Sequence, residues 1–315
     1  MRFSTRFVAV IVGMLVAGTA WAQGTGRSLD IQPGARENGM GATGVALGDD
    51  ATGATWWNPA ALGFTTQPSI QLTTAQLVPG LASDVTFNEA SYVHPVAGWG
   101  AFGLSLAFLS YGSSEAINEA GQSNGRFDSY EVWSGVSYGT KLFEDLSIGA
   151  TVKYVRIQLA PASYQGVGST FGLDLATLYK IPAARLRFGL NVQNLGPSVT
   201  FINEDQSSPL SRNLKVGYSW QVYDTKPVEL VVTSDYNQSL VTNDFKVWNH
   251  GLELKYAEQI AGRIGWYSDP LGNIKDFTYG IGIVWKNLAL DYGSIPQAKD
   301  SNLPNVNKIS IGYRF

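Results

Sequence analysis

The 315-residue chain contains no cysteine and only two histidines, His94 and His250. Without thiols it can form neither a disulfide nor a thiolate metal site, and two histidines far apart in sequence are too few for an imidazole-based zinc site. Charge is scarce too: 15% of residues are Asp, Glu, Lys or Arg, and they include no block of Lys or Arg, so nucleic acid is a poor partner. Beyond the first two dozen residues no stretch has the length and apolarity of a membrane-spanning helix, so any membrane must be met by strands. Glycine and aromatic residues are abundant instead, with 35 Gly, 15 Tyr, 14 Phe and 9 Trp, a composition too apolar for a disordered chain.

The first residues read as a secretory signal peptide. Arg2 and Arg6 precede an apolar run from Phe7 to about Ala17, and Ala20-Trp21-Ala22 offers an A-x-A cleavage site. The run is shorter than the roughly 20 apolar residues that span a bilayer. Export with cleavage after Ala22 leaves 20 basic against 25 acidic residues, a net charge of −5.

From Ser69 onward the apolar residues alternate with period two, which predicts strands with two unlike faces. Ile309, Ile311, Tyr313 and Phe315 oppose Lys308, Ser310, Gly312 and Arg314, and Leu186, Phe188, Leu190 and Val192 oppose Arg185, Arg187, Gly189 and Asn191. Approximate strands fall at 69–77, 85–94, 99–110, 127–138, 146–157, 167–179, 185–195, 211–221, 227–236, 247–256, 260–267, 276–285, 288–293 and 306–315. Connections after even strands are short (HPVAG, KLFEDL, KIPAA, KN), whereas those after odd strands from the third onward are longer (SSEAINEAGQSNGR, INEDQSSPL, SIPQAKDSNLPNV). One rim of tight turns and one of loops is the pattern of a transmembrane antiparallel β-barrel of about 14 strands in the outer membrane. Tyr138, Trp220, Tyr256, Trp266, Trp285 and Tyr292 near strand ends suit an interfacial girdle. Tyr313 and Phe315 resemble the signal read by the barrel assembly machinery.

Bilayer physics assigns the faces, because a charge at the midplane costs about 2–4 kcal/mol. The apolar face meets outer-membrane lipid. Asp174, Arg185, Arg187, Lys215, Asp235, Glu253, Lys255, Arg263, Asp291, Lys308 and Arg314 are expected to face the lumen, where mixed charge suits a satisfied or plugged interior better than a selectivity ring.

Between the signal and the first strand lie residues 23–68, rich in Gly and Ala. Gly39, Gly41 and Gly44 spell G-x-G-x-x-G, but no buried strand precedes them and no parallel strand follows, so a dinucleotide cradle is not expected. Gly44, Ala46, Asp49, Asp50, Ala51, Trp56, Trp57, Asn58, Pro59 and Ala60 match the N-terminal signature of the PorV/PorQ family and, more distantly, of the FadL-type transporters, with Asn58-Pro59-Ala60 the most specific part. The resemblance implies a fourteen-stranded barrel with an N-terminal plug. Small residues pack backbone closely in a lumen, Asp49 and Asp50 can meet inward Arg or Lys, and Asn58 before Pro59 favours a geometry that ends a helix.

No catalytic constellation stands out. His250 shares parity with Trp248 and Leu252 on the lipid face, and His94 adjoins Pro95 at a short turn, so neither is placed as a general base and no enzyme or cofactor is expected. Acidic loops at Asn203, Glu204 and Asp205, or at Asp269 and Asn273, suit calcium chemically but are more simply solvated. The family resemblance implies an accessory role in protein secretion or surface attachment of type IX kind, with secreted cargo proteins as partners. The alternative is uptake of hydrophobic small molecules, with Leu77, Val78, Pro79, Gly80 and Leu81 contributing to an entrance.

Overall fold

Period-two alternation closes on itself in the computed structural model, which describes residues 24–117, 121–161, 163, 165–201, 207–242 and 245–315. The expected signal peptide, 1–22, and the candidate calcium ligands Asn203, Glu204 and Asp205 lie outside the described residues. The strands are β1 (Ser69–Val78), β2 (Ala82–Val96), β3 (Gly100–Ile117), β4 (Ser123–Phe143), β5 (Leu146–Gln158), β6 (Val167–Ile181) and β7 (Leu186–Leu195). They continue with β8 (Asn213–Thr225), β9 (Val228–Ser239), β10 (Lys246–Tyr256), β11 (Ile260–Asp269), β12 (Ile274–Trp285), β13 (Leu288–Ile295) and β14 (Val306–Arg314). Each pairs antiparallel with its sequence neighbour, and β1 pairs with β14 from Ser69↔Arg314 to Ala75↔Lys308 to complete the ring. Closure leaves no unpaired edge, the condition for strands to cross hydrocarbon.

The side-chain alternation places apolar residues outward. Ile70, Leu72, Leu104, Leu106, Phe171, Ile281, Ile283, Ile309 and Ile311 are exposed, while Ser69, Gln71, Thr73, Ser105, Thr278, Lys308 and Ser310 are buried inside. Trp220, Tyr256 and Trp285 ring the short-turn rim, and Trp266 and Tyr292 lie toward the other. The inward face is not uniformly polar: Phe87, Leu109, Trp133, Val155 and Ile157 of β2–β5 point into the lumen and join Leu29, Trp56, Trp57 and Leu210 in one apolar cluster.

Two expectations are corrected. The SSEAINEAGQSNGR stretch is mostly strand, since β3 runs to Ile117 and β4 starts at Ser123, and Ser113–Ile117 pair with Ser123–Asp128 beyond the reach of β2 and β5. Polar residues there conceal the strand because above the membrane neither face needs to be apolar. Arg185 does not face the lumen. It occupies the turn between β6 and β7 with φ 53°, half-exposed and 4.0 Å from Asp224, because the three-residue turn Pro182–Ala184 ends in a left-handed residue that swings its side chain out of the strand's alternation.

Residues 24–68 pack inside the barrel, and inward glycines of the strands make room for their backbone. A Cβ at Gly149 would overlap the Pro59–Ala60 peptide, at Gly189 the Val45 carbonyl, at Gly265 the Met40–Gly41 peptide and at Gly293 the Ala35 carbonyl. Gly149→Ala is expected to cost about 1–3 kcal/mol by overpacking, read as a lower urea midpoint for the gel mobility shift between folded and unfolded barrel. Gly262→Ala, facing open space on the lipid side, is expected to stay within about 0.5 kcal/mol of the unsubstituted chain.

Candidate functional site

The segment crosses the lumen from one rim to the other. Near the long-loop rim Thr25 bridges to Leu210 just before β8, and the Ser28 amide donates to Glu131 Oε2 at 2.7 Å. The short helix Ala35–Gly39 lies on β12–β14, with the Ala35 amide donating to Ser310 Oγ at 2.9 Å. Gly41 (φ 71°) follows, its amide donating to Thr278 Oγ1 at 2.8 Å. The Gly44 and Val45 amides both donate to Asp235 Oδ2, at 2.7 and 3.0 Å, and a Cβ at Gly44 would meet the Trp57 ring at 2.5 Å. Of the G-x-G-x-x-G string, Gly39 and Gly41 therefore serve close packing against the wall, and Gly44 serves close packing against the segment's own Trp57.

A second helix, Ala51–Trp57, is capped by Asp50, whose Oδ1 accepts from the Thr52 and Gly53 amides at 3.1 Å each. Such a cap contributes about 1 kcal/mol. Asp50 makes no ion pair with an inward Arg or Lys among the described residues, because its carboxylate is engaged locally. At the other end Asn191 Nδ2 and Gln193 Nε2 of β7 donate to the Trp57 and Trp56 carbonyls at 2.9 and 2.7 Å, satisfying helix-end acceptors that would otherwise be orphaned. Asn58 then ends the helix in extended backbone; its Nδ2 donates to the Val45 and Thr177 carbonyls and its Oδ1 accepts from the Ala60 amide at 3.0 Å. The Pro59 carbonyl lies under Gly139, and the Ala60 carbonyl accepts from Ser147. Trp56 and Trp57, packed edge to face at 4.7 Å between centroids, are buried in the lumen.

Charges lock the segment to the wall. Arg36 donates to Glu253 at 2.9 and 2.7 Å and to both oxygens of Asp49 at 3.1 Å. Arg263 reaches Glu253 and Asp291 at 2.6 Å each, and Lys255 lies 3.6 Å from Asp49 and 3.3 Å from Glu253. Arg187 donates to the Leu47 carbonyl, and Lys308 to the Gln32 carbonyl and Asn38. Asp174 pairs with Lys153 at 2.7 Å, both fully buried. Arg314 is exposed at the short-turn mouth. Burial alone would raise the Asp49 carboxyl, but Arg36, Lys255 and Arg187 hold it well below the usual range. Glu37 is the opposite case: burial, with Asp50 nearby, pushes its carboxyl well above that range, and its Oε2 has no hydrogen-bond partner.

Among the described residues a large cavity lies at each end of the segment. One of about 400 Å³ opens between the ends of the strands at the long-loop rim, with Leu77, Leu109, Tyr111, Tyr267 and Ile295 among its walls. The other, about 620 Å³ at the short-turn rim, is bordered by Arg36, Asp49, Glu229, Lys255, Arg263 and Asp291. Arg36 and Glu37 were missed in sequence, whereas Lys153, Asn191 and Gln193 fall on the polar face of their strands by alternation but carried no assigned role. Arg36 and Glu37 stand in a Gly- and Pro-rich stretch with no periodicity to place them. Tyr313 and Phe315 are exposed on the outside, rings edge to face at 5.1 Å.

The sequence matches the family model described as type IX secretion system protein PorV over residues 24–245, which takes in the luminal segment and β1–β9. The chain belongs to the PorV family. In fold this PorV-family barrel is similar to the toluene transporter TbuX of Ralstonia pickettii, with TM-score 0.60 and 16% identity over 90% of this chain and 98% of that one. It is likewise similar to the toluene transporter TodX of P. putida (TM-score 0.54, 14% identity, 90% and 98%) and to a Pseudomonas aeruginosa FadL homologue (0.52, 12%, 90% and 98%). At such identities the likeness concerns the fold alone. No curated protein matches the chain in sequence.

Arg36→Gln removes the clamp between Glu253 and Asp49, and breaking a buried pair typically costs about 3–5 kcal/mol. In planar bilayers it is expected to show channel openings far more often than the unsubstituted barrel. Because the folded Glu37 carboxyl titrates above its unfolded value, near about 4.3, the unfolded state alone ionises as pH rises and stability falls. Glu37→Gln should therefore raise the urea midpoint at pH 8, and the gain should vanish below about pH 4.

Proposed function

We propose that this PorV-family chain is an outer-membrane accessory of protein secretion, of type IX kind, holding a secreted cargo protein at the outer rim. The observation that carries the reading is the lumen crossed from rim to rim by the chain's own residues 24–68 beside a β3–β4 hairpin that continues past its neighbours. A cargo protein has no path through such a barrel, whereas a two-stranded ribbon that extends past the ladders of β2 and β5 offers it a surface. In this reading the chain is exported, cleaved after Ala22 and inserted by the barrel assembly machinery through Tyr313 and Phe315, with lipid around its apolar face. This reading assigns the chain no catalysis, and His94 and His250 lie exposed on the outward face, His94 beside the Tyr92 hydroxyl at 3.0 Å.

A tagged barrel is expected to co-purify surface proteins and a large outer-membrane translocon. Replacing residues 113–126 with a short Gly-Ser turn is expected to lose the cargo while keeping the heat-dependent gel shift. Recovery of assembly factors alone would sink the reading.

The second reading, uptake of a hydrophobic small molecule, is favoured by the apolar cavity at the outer rim, to which Leu77 and Val78 contribute. Unchanged uptake of apolar compounds in a deletion strain would count against it.

A further inference from the structure

Lys180 of β6 and Arg187 of β7 stand directly opposite each other in the ladder near the short-turn rim, and both follow the inward parity of the buried Leu178 and Gly189. Like charges in that position destabilise a sheet. Lys141 of β4, inward by the parity of the buried Gly139, adds a third cation. Its ammonium lies 5.3 Å, and that of Lys180 3.4 Å, from the centroid of one ring, Phe64 of the luminal segment. Among the described residues neither ammonium donates a hydrogen bond, and Arg187 donates to the Leu47 carbonyl without forming an ion pair.

The rest of that rim does not neutralise them. Arg185 pairs with Asp224 at 4.0 Å, Lys226 with Glu258 at 3.1 Å and Lys255 with Glu229 at 3.6 Å. Asp49, which acts on Lys180 and Arg187 through space, is bonded to Arg36. Among the described residues, Lys141, Lys180, Arg187, Lys286 and Arg314 are left against Glu144 and Asp145 of the turn between β4 and β5. Holding the luminal segment accounts for only part of this charge. A cation over the Phe64 ring, at the carbonyl end of the helical turn Pro59–Phe64, is attracted weakly by both. One ammonium supplies that contact, whereas several groups of one sign repel each other.

Lys141, Lys180 and Arg187 face the lumen, so lipid head groups have no access to them. An anion reaches them through the aqueous mouth, which opens to the periplasm in a barrel with short turns on that rim. The unpaired cations are spread over β4, β6, β7, the turn after β12 and β14, which suits a chain bearing separate single charges better than one compact dianion. A cavity of about 130 Å³ beside Phe64, bordered by Gly48, Thr65 and Arg314, gives a side chain of such a ligand room to enter.

We infer that the short-turn mouth is a docking site for an acidic segment of a periplasmic protein, with Lys141, Lys180 and Arg187 holding its carboxylates beside Phe64. The site lies at the rim opposite the proposed cargo surface and does not depend on the secretion reading.

The test titrates the full barrel in phosphatidylcholine nanodiscs, at low salt, with a fluorescent peptide of alternating Glu and Ser and with its Gln-Ser counterpart. The acidic peptide is expected to bind at least about tenfold tighter and to weaken as salt is raised. Lys141→Gln together with Lys180→Gln is expected to weaken it by about three- to tenfold, the scale of two exposed ion pairs. Lys226→Gln, at the same rim but paired with Glu258, is expected to change it less than about twofold. If the double variant loses the heat-dependent gel shift, Lys141→Gln alone, an exposed position, is expected to weaken the acidic peptide by about two- to threefold. Equal binding of the two peptides, inorganic phosphate binding as tightly as the acidic peptide, or undiminished binding by a gel-shifting barrel without these lysines would each overturn the inference. Because peptide binding is measured rather than secretion, these failures would leave the proposed function untouched.

Discussion

The interior of this barrel depends on main chain lying directly on main chain. Between Ala35 and Ala60 the luminal segment touches strand backbone at Gly149, Gly189, Gly265 and Gly293, where any side chain would collide with it. At that separation the segment's peptide groups reach wall side chains such as Thr278, Asp235, Asn191 and Ser310. A buried peptide group left unpaired costs about as much as a lost hydrogen bond, so each glycine is coupled to a nearby polar side chain on the same inward face. The two conditions explain together why the inward positions of a lipid-embedded barrel alternate between glycine and small polar residues.

The ion network serves a different end from the packing. Arg36 belongs to the segment, Glu253, Lys255 and Arg263 to adjoining strands, and Asp49 returns from the segment again. Burying these charges costs solvation that pairing largely returns, so the net stabilisation is modest while the penalty for leaving any one alone is large. The network therefore fixes the segment's place more than it strengthens the fold, and it borders the polar cavity at the short-turn rim. The outer cavity has the reverse character, with Leu77, Leu109, Tyr111, Tyr267 and Ile295 among its walls.

Much of the barrel was legible because lipid outside and a lumen inside impose one rule on every strand: Ile309, Ile311 and Tyr313 against Lys308 and Ser310 announce both the strand and its orientation. The rule fails where its cause is absent. Above the membrane, Ser113–Ile117 and Ser123–Asp128 need no apolar face, so strand was mistaken for loop. At Arg185 parity pointed inward, but a left-handed turn residue follows the local backbone instead of the sheet. Inside β2–β5, Phe87 and Trp133 break the polar pattern because they meet Leu29 and Trp56 of the segment, a contact no local periodicity contains. The luminal stretch was recognisable as small and close-packing. Its partners were not, since Ser28 finds Glu131 and Arg36 finds Glu253 across more than a hundred residues.

The partition between the cavities also constrains any motion that would join them. The helix Ala51–Trp57 is held at its start by Asp50 and at its end by Asn191 and Gln193, so it cannot shift as a unit without exposing acceptors on β7 and on itself. The stretch from Ala35 to Gly39 is held by a few charges and two hydroxyls, those of Ser310 and Thr278, groups that water at the short-turn rim could resolvate. If the lumen opens, the physical asymmetry places the hinge on the side of Arg36 and leaves Trp56, Trp57 and Asn58 fixed to the wall. Gln32 and Asn38, both bonded to Lys308 at the edge of the outer cavity, belong to the half of the segment on the Arg36 side.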